Sequence, residues 1–316
     1  MVIVSLMVMT AVVVATPPAA EDSLSVYLAS GGQKMVRHNY AEALEHYQRV
    51  LQLDPDNYEA IRNSGVAHSA LGDQTQARTF LERARQINPD DPEVLNNLGV
   101  LCSNEGSRLK AIEYFEKAAQ LNSGKAVYHK NLGQEYSKVG RISLALPALH
   151  RALELASDDA EISYSLGNCF ASANSFDSAE IYFERSISAG AGHARLFFFL
   201  GTVKSHLGKI DQAEASFKQA LRLSPDNVSC LQSLGMLYFG DGRYPQAADQ
   251  ALRIIAIDST NHAAWILLGS SYALDQKIAE ADSILYRLFD VDSAIGFQML
   301  DMISSERQQN QSDDEQ

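Results

Sequence analysis

Residues 262–295 read HAAWILLGSSYALDQKIAEADSILYRLFDVDSAI, and six of them decide the fold: Trp265, Leu268, Gly269, Tyr272, Ala281 and Leu285. The glycine and the alanine stand twelve positions apart, and the same pair recurs upstream seven more times at an interval of 34. The glycines are Gly31, Gly65, Gly99, Gly133, Gly167, Gly201, Gly235 and Gly269; the alanines are Ala43, Ala77, Ala111, Ala145, Ala179, Ala213, Ala247 and Ala281. No insertion or deletion breaks the register. The chain therefore reads as one array over 24–295, in units 24–57, 58–91, 92–125, 126–159, 160–193, 194–227, 228–261 and 262–295.

Other positions keep step. A leucine precedes most of the glycines, as at Leu98, Leu132, Leu166, Leu200, Leu234 and Leu268. Four residues past each alanine comes a large side chain, from Tyr47 and Leu81 through Phe115, Leu149, Phe183 and Phe217 to Leu285, with Ala251 the exception. Apolar spacings of three and four mean helices. Each unit thus predicts two helices, with a turn near Gly72, Gly106, Gly140, Gly208 or Gly242 and a second break near Pro55, Pro89 or Pro225. Pro147 falls inside a second helix and is expected to bend it. A glycine inside a helix costs about 1 kcal/mol relative to alanine. Its return in every unit implies that two helices approach closely where glycine and alanine leave no side chain in the way.

On these residues the chain resembles the tetratricopeptide repeat (TPR) family, whose pattern of aromatic, Leu-Gly, Tyr, Ala, Phe and Pro the 262–295 unit meets most fully. The resemblance implies an all-α fold, a right-handed α-α superhelix of helical hairpins in which stacked neighbours bury the face that one hairpin leaves open. Ile295, Phe297, Leu300 and Ile303 mark 294–305 as a capping helix, and 306–316, rich in Gln, Asn, Ser and acid, as a disordered tail.

The first fifteen residues, MVIVSLMVMTAVVVA, carry no charge and read as an export signal or short anchor, followed by a linker over 16–23. They lack the usual leading Lys or Arg, so a cytosolic chain with a displaced start is the alternative. Export to a bacterial periplasm, with attachment to a membrane through the N terminus as a variant, is the expected location. Cys102, Cys169 and Cys230 lie two units apart from one another, beyond the ~7 Å Cα reach of a disulfide, and read as small buried residues.

A net charge of -13 argues against nucleic acid, whose phosphates require a basic face. No Gly-x-Ser-x-Gly, His-Glu-x-x-His or Cys-x-x-Cys occurs, and the eight histidines fall at different places in their units. His129 reads as a hydrogen-bonded helix residue. Neither catalysis, metal, cofactor nor small-molecule substrate is expected, and binding of a protein or peptide remains.

By the resemblance, the first helix of each unit lines an inner groove through positions flanking its glycine. Those positions hold Arg62, Asn96, Lys130, Gln134, Tyr164, Asn168 and Phe198, then Thr202, Ser205 and His206, then Gln232, Met236 and Phe239. The groove passes from polar and basic to apolar and aromatic, suiting an extended peptide or a partner helix. Lys130, Gln134, Asn168 and Arg195 are similar in placement to the carboxylate clamp of co-chaperone TPR domains, although glutamine replaces an asparagine and Phe199 an arginine. The expected function is a noncatalytic interaction scaffold. An accessory subunit of a glycosyltransferase or peptidase system, and a cytosolic co-chaperone, are the alternatives.

Overall fold

The structure, a computed structural model, describes residues 20–314, with side chains placed over 23–304. The expected leader at 1–15 lies outside the described residues. Among the described residues seventeen α-helices alternate with short turns and no strand occurs. In chain order they are α1 (Ala20–Val36), α2 (Tyr40–Leu53), α3 (Tyr58–Ala70), α4 (Gln74–Ile87), α5 (Pro92–Asn104), α6 (Arg108–Leu121), α7 (Ala126–Lys138) and α8 (Ile142–Leu155). There follow α9 (Ala160–Ser172), α10 (Phe176–Ser188), α11 (Ala194–His206), α12 (Ile210–Leu223), α13 (Val228–Gly240), α14 (Tyr244–Ile257), α15 (His262–Leu274), α16 (Ile278–Val291) and α17 (Ser293–Asp314). Contacts divide the chain into two compact units, one ending at Glu135 and the other beginning at Tyr136. Within each, consecutive helices pair as hairpins and successive hairpins stack, the TPR-type solenoid arrangement.

Each interior glycine receives a particular neighbour. A Cβ on Gly31 would stand 2.6 Å from the Tyr47 ring, on Gly99 2.6 Å from Phe115, on Gly167 2.5 Å from Phe183, and on Gly201 2.7 Å from Phe217. The partner of the glycine is therefore the large residue sixteen positions on, not the repeat alanine, and this sharpens the sequence expectation. Tyr47, Phe115, Phe183 and Phe217 are almost fully buried. Where that position holds Ala251, the vacancy beside Gly235 is filled from the next hairpin by Leu267, whose Cδ2 would lie 2.8 Å from the added atom.

The hairpin turn has a stricter register than its glycines showed. Positive φ occurs at Gly72, Gly106, Gly140, Gly208 and Gly242, and equally at His38 (59°), Asn174 (56°) and Gln276 (60°), the matching positions of the other hairpins. The left-handed turn is thus a property of every hairpin; glycine is only its commonest occupant.

The second break is capped. Asn57, Asp91, Asp159, Asn227 and Asn261 each accept a backbone N–H from the first turn of the helix they precede, and the His193 imidazole does the same for the Leu196 amide at 3.1 Å. A second device at the break escaped the sequence reading. Arg83, Lys117, Arg185 and Arg253, one per hairpin, donate to the carbonyls of Pro55, Pro89, Ser157 and Pro225, each 28 residues back. Gln219 holds the corresponding place after α11, and its side-chain oxygen is buried without a hydrogen-bond partner.

Helix α8 runs on through Pro147. The three cysteines are buried and unpaired, and burial pushes the Cys230 thiol up to about 11. Helix α17 packs on α15 and α16, with Met299 against Gly269. Its backbone stays helical to Asp314, where composition had suggested a cap ending at 305 and a disordered tail. Gln and Glu are good helix formers, and adding residues to an existing helix avoids the cost of a new nucleus.

Candidate functional site

In the first unit the inner polar residues engage one another. The Arg62 guanidinium lies 3.7 Å from the Asp91 carboxylate and 3.8 Å from Glu93, and it hydrogen-bonds Asn63. Asp91 also accepts from the Tyr58 hydroxyl at 2.6 Å. Burial alone would raise the Asp91 carboxyl, but the Tyr58 hydroxyl, the amides of Val94 and Glu93 and the Arg62 charge outweigh it and hold the group below its ordinary value. Asn96 is buried and accepts from Asn131 at 2.8 Å. Lys130 and Gln134 are half-buried and also engaged. His129 is a hydrogen-bonded helix residue, its Nε2–H donating to the Ser123 carbonyl oxygen at 3.1 Å.

The second unit holds Tyr164, Asn168, Arg195, Phe198, Met236 and Phe239. The Tyr164 ring lies 5.0 Å from His193 and 5.9 Å from Phe183, and its hydroxyl is buried without a partner. Asn168 is half-buried. Arg195 is exposed and rests over the Phe199 ring at 5.5 Å, so Phe199 takes a packing role where the co-chaperone clamp has an arginine. Phe198 packs on Phe217 at 6.1 Å. Phe239 is not a groove residue: it is 3% exposed, with its ring against Tyr244 at 5.6 Å. The helical rotation that brings Met236 to the surface turns Phe239, three residues on, into the core.

Between α11 and α13 the second unit opens a pocket of about 550 Å³. Thr202, Ser205 and His206 line it from α11, Ile210 and Phe217 from α12, and Ser229, Gln232, Ser233, Met236, Leu237 and Gly240 from α13. Local rules build each wall. His193 and Asn227 cap the two inner helices. Gly201 admits the Phe217 ring, which becomes part of the apolar floor with Ile210 and Leu237. Gly240 ends α13 with no atom near its absent Cβ, leaving the mouth open. His206 stacks flat on Phe176, ring centres 4.4 Å apart. Thr202 is occupied by the Phe198 carbonyl at 3.0 Å. Among the described residues the side chains of Ser205, Ser229, Gln232 and Ser233 make no hydrogen bond within the chain.

Of the thirteen residues placed in the groove by the sequence rule, Thr202, Ser205, His206, Gln232 and Met236 line this pocket. Ser229, Ser233 and Leu237 were missed. Their signal was available, because Ser229 stands three residues before Gln232, Ser233 three before Met236 and Leu237 four after Ser233, spacings that share one helical face.

Among the described residues no group of three His, Cys, Asp or Glu could hold a metal ion, and no helix is long and apolar enough to cross a membrane. The fold and the pocket define a helical-hairpin repeat protein with an open recess on its first helices. Tetratricopeptide repeat profiles match residues 36–98, 92–124, 130–194 and 200–262, and the chain belongs to the tetratricopeptide repeat family. No curated protein matches the sequence. Among solved structures, Pseudomonas aeruginosa PilF is similar with a TM-score of 0.59 and 18% identity, over 65% of this chain and 94% of that one. YrrB, a TPR protein with an unusual peptide-binding site, is 26% identical with a TM-score of 0.54, over 59% and 97%. PilW, a type IV pilus biogenesis factor, is 21% identical with a TM-score of 0.56, over 66% and 96%. A TPR fold is a protein-interaction scaffold.

Proposed function

We propose that this protein is a noncatalytic scaffold that binds a peptide or helix of a partner protein on the first-helix face of its second unit. The observation that carries the reading is the 550 Å³ pocket formed by α11, α12 and α13, which pairs an apolar floor with side-chain donors and acceptors unused by the fold. The likeness to YrrB supports a peptide as the class of partner. The carboxylate clamp has no part in the proposal, because no Lys or Arg lines the pocket. Export, with 1–15 as its signal, belongs to the same proposal; N-terminal sequencing of the mature protein checks it, and a soluble chain still starting at Met1 would overturn it.

Selection of a displayed peptide library on the immobilised protein tests the scaffold reading. Selected peptides should slow hydrogen exchange in α11 and α13, and Met236→Glu should lose them while keeping its helical circular dichroism. Peptides that bind Met236→Glu equally well, or that protect only other helices, would overturn the placement. A library from which nothing is enriched would count against the scaffold itself.

A further inference from the structure

We infer that the pocket between α11 and α13 takes an uncharged, apolar side chain from an extended segment of the partner, whose main chain is held by Ser205, Ser229, Gln232 and Ser233. The inference rests on the scaffold reading and narrows it, choosing the extended peptide over the helix and fixing the chemistry of the inserted group.

Charge is the first argument. Charged residues make up 21% of this sequence, yet no Asp, Glu, Lys or Arg lines the pocket. The nearest lysines of α11 and of the turn before α12 are turned elsewhere: Lys204 lies 3.0 Å from Glu184 and 3.9 Å from Glu180, and Lys209 is paired with Glu180 at 2.5 Å. A carboxylate or ammonium entering the recess would lose hydration and meet no permanently charged partner, the one titratable side chain of the lining being His206, which stacks on Phe176. An aliphatic or aromatic group would instead meet Ile210, Phe217, Met236 and Leu237, and would exchange water for apolar contact on both sides.

The second argument is hydrogen bonding. Gln232 offers an acceptor and two donors, and each serine hydroxyl offers both roles. Such a set complements peptide groups. A helix satisfies its peptide groups internally and would leave these side chains unused, whereas an extended strand presents every N–H and C=O. The four side chains without internal partners therefore match an extended main chain. The volume is that of a site for a few residues, with one side chain inserted.

The test uses four small probes on the full chain, read by amide chemical shifts: the N-acetyl, N′-methylamide derivatives of leucine, phenylalanine, aspartate and lysine. The leucine and phenylalanine probes should shift Gln232, Ser233 and Gly240 in a saturable way, about tenfold more tightly than the charged pair. Methylating the peptide nitrogens of the leucine probe should weaken it. Met236→Lys, at an exposed position, should invert the order and favour the aspartate probe. Equal binding of charged and neutral probes, or no inversion in Met236→Lys, would overturn the inference while leaving the library selection to decide the scaffold reading. Absence of shifts at these amides with every probe would also overturn it. Tighter binding of a stapled amphipathic helix than of its extended, unstapled counterpart would assign the face to a helix instead.

Discussion

Both units carry polar residues on their inner faces, and the two sets differ in availability. In the first, Arg62, Asp91 and Glu93 pair with one another and Asn96 with Asn131, so the polar groups that suggest binding are consumed by the fold. In the second, Ser205, Ser229, Gln232 and Ser233 stand around an apolar floor with no internal partner. Polarity along a groove therefore measures what a surface contains, and the hydrogen-bond accounting measures what it can offer.

Both units share one packing rule, and breaking it should produce the largest effect. Gly99 faces Phe115 and Gly167 faces Phe183, each with room for nothing more than a hydrogen. Gly99→Leu and Gly167→Leu should each destabilise by about 3 kcal/mol or more, since the added atoms overlap a buried ring on the facing helix. Gly32→Ala supplies the control: no atom lies near its absent Cβ, and the substitution should gain up to about 1 kcal/mol of helix propensity. Thermal melts of the three variants check the rule. Equal losses at Gly32 and Gly167 would show that glycine matters for the backbone and not for the approach of the ring.

Like Asp91 in the first unit, a carboxylate of the second is held below its ordinary value. In the second, the Glu214 carboxylate accepts from Arg243 at 2.6 Å and from Tyr238 at 2.9 Å and is ion-paired with Lys218. The Arg243 guanidinium, helped by Lys218 and Tyr238 and opposed by burial, holds its pKa at about 2. Because the folded value lies below the unfolded one, the stabilisation is complete above the unfolded pKa near 4.5 and fades as pH falls from there toward about 2. Glu214→Gln should cost about 1 to 3 kcal/mol at neutral pH and flatten that acid limb. Melting points from pH 7 to 2.5 for wild type and variant would show it; parallel curves would remove Glu214 from the explanation.

The fold was legible because a period of 34 without a gap leaves few alternatives, and every first helix from α3 to α15 begins at that spacing. The helix pairing followed from Gly31, Gly99, Gly167 and Gly201, while the ring that each one receives did not. A single sequence shows which positions are small, but not which distant ring needs the space. The site was legible in part. The rule that chose Met236 and Gln232, which line the pocket, also chose Phe239, which is buried with its ring against Tyr244. Asn96 and Arg62 were chosen for their chemistry, and that chemistry is spent on neighbours that no spacing rule identifies.

Turn positions sharpen the comparison at a smaller scale. Both units mix glycine with other residues at the left-handed position: His38 stands beside Gly72 and Gly106 in the first, and Asn174 and Gln276 beside Gly140, Gly208 and Gly242 in the second. A residue other than glycine or asparagine loses about 1 to 2 kcal/mol there, partly repaid because glycine orders at greater entropic cost. Gln276→Gly should therefore raise stability by about 1 kcal/mol, and Asn174→Gly by only a few tenths, since asparagine tolerates this conformation. Chemical denaturation at fixed pH would rank them. A larger gain at Asn174 would mean that its side chain strains the turn beyond what φ conveys.

Arg62 separates content from availability most directly. Its ion pairs with Asp91 and Glu93 are long and partly solvated, so Arg62→Ala should cost no more than about 1 kcal/mol. If the inner face of the first unit took no part in binding, peptides selected on wild type would bind this variant unchanged, while Gln232→Ala in the second unit would weaken them. Isothermal titration of one selected peptide against both variants measures the difference. Loss at Arg62 without loss at Gln232 would move the binding face to the first unit, and would mean that a partner breaks the Arg62 pairs to use the guanidinium itself.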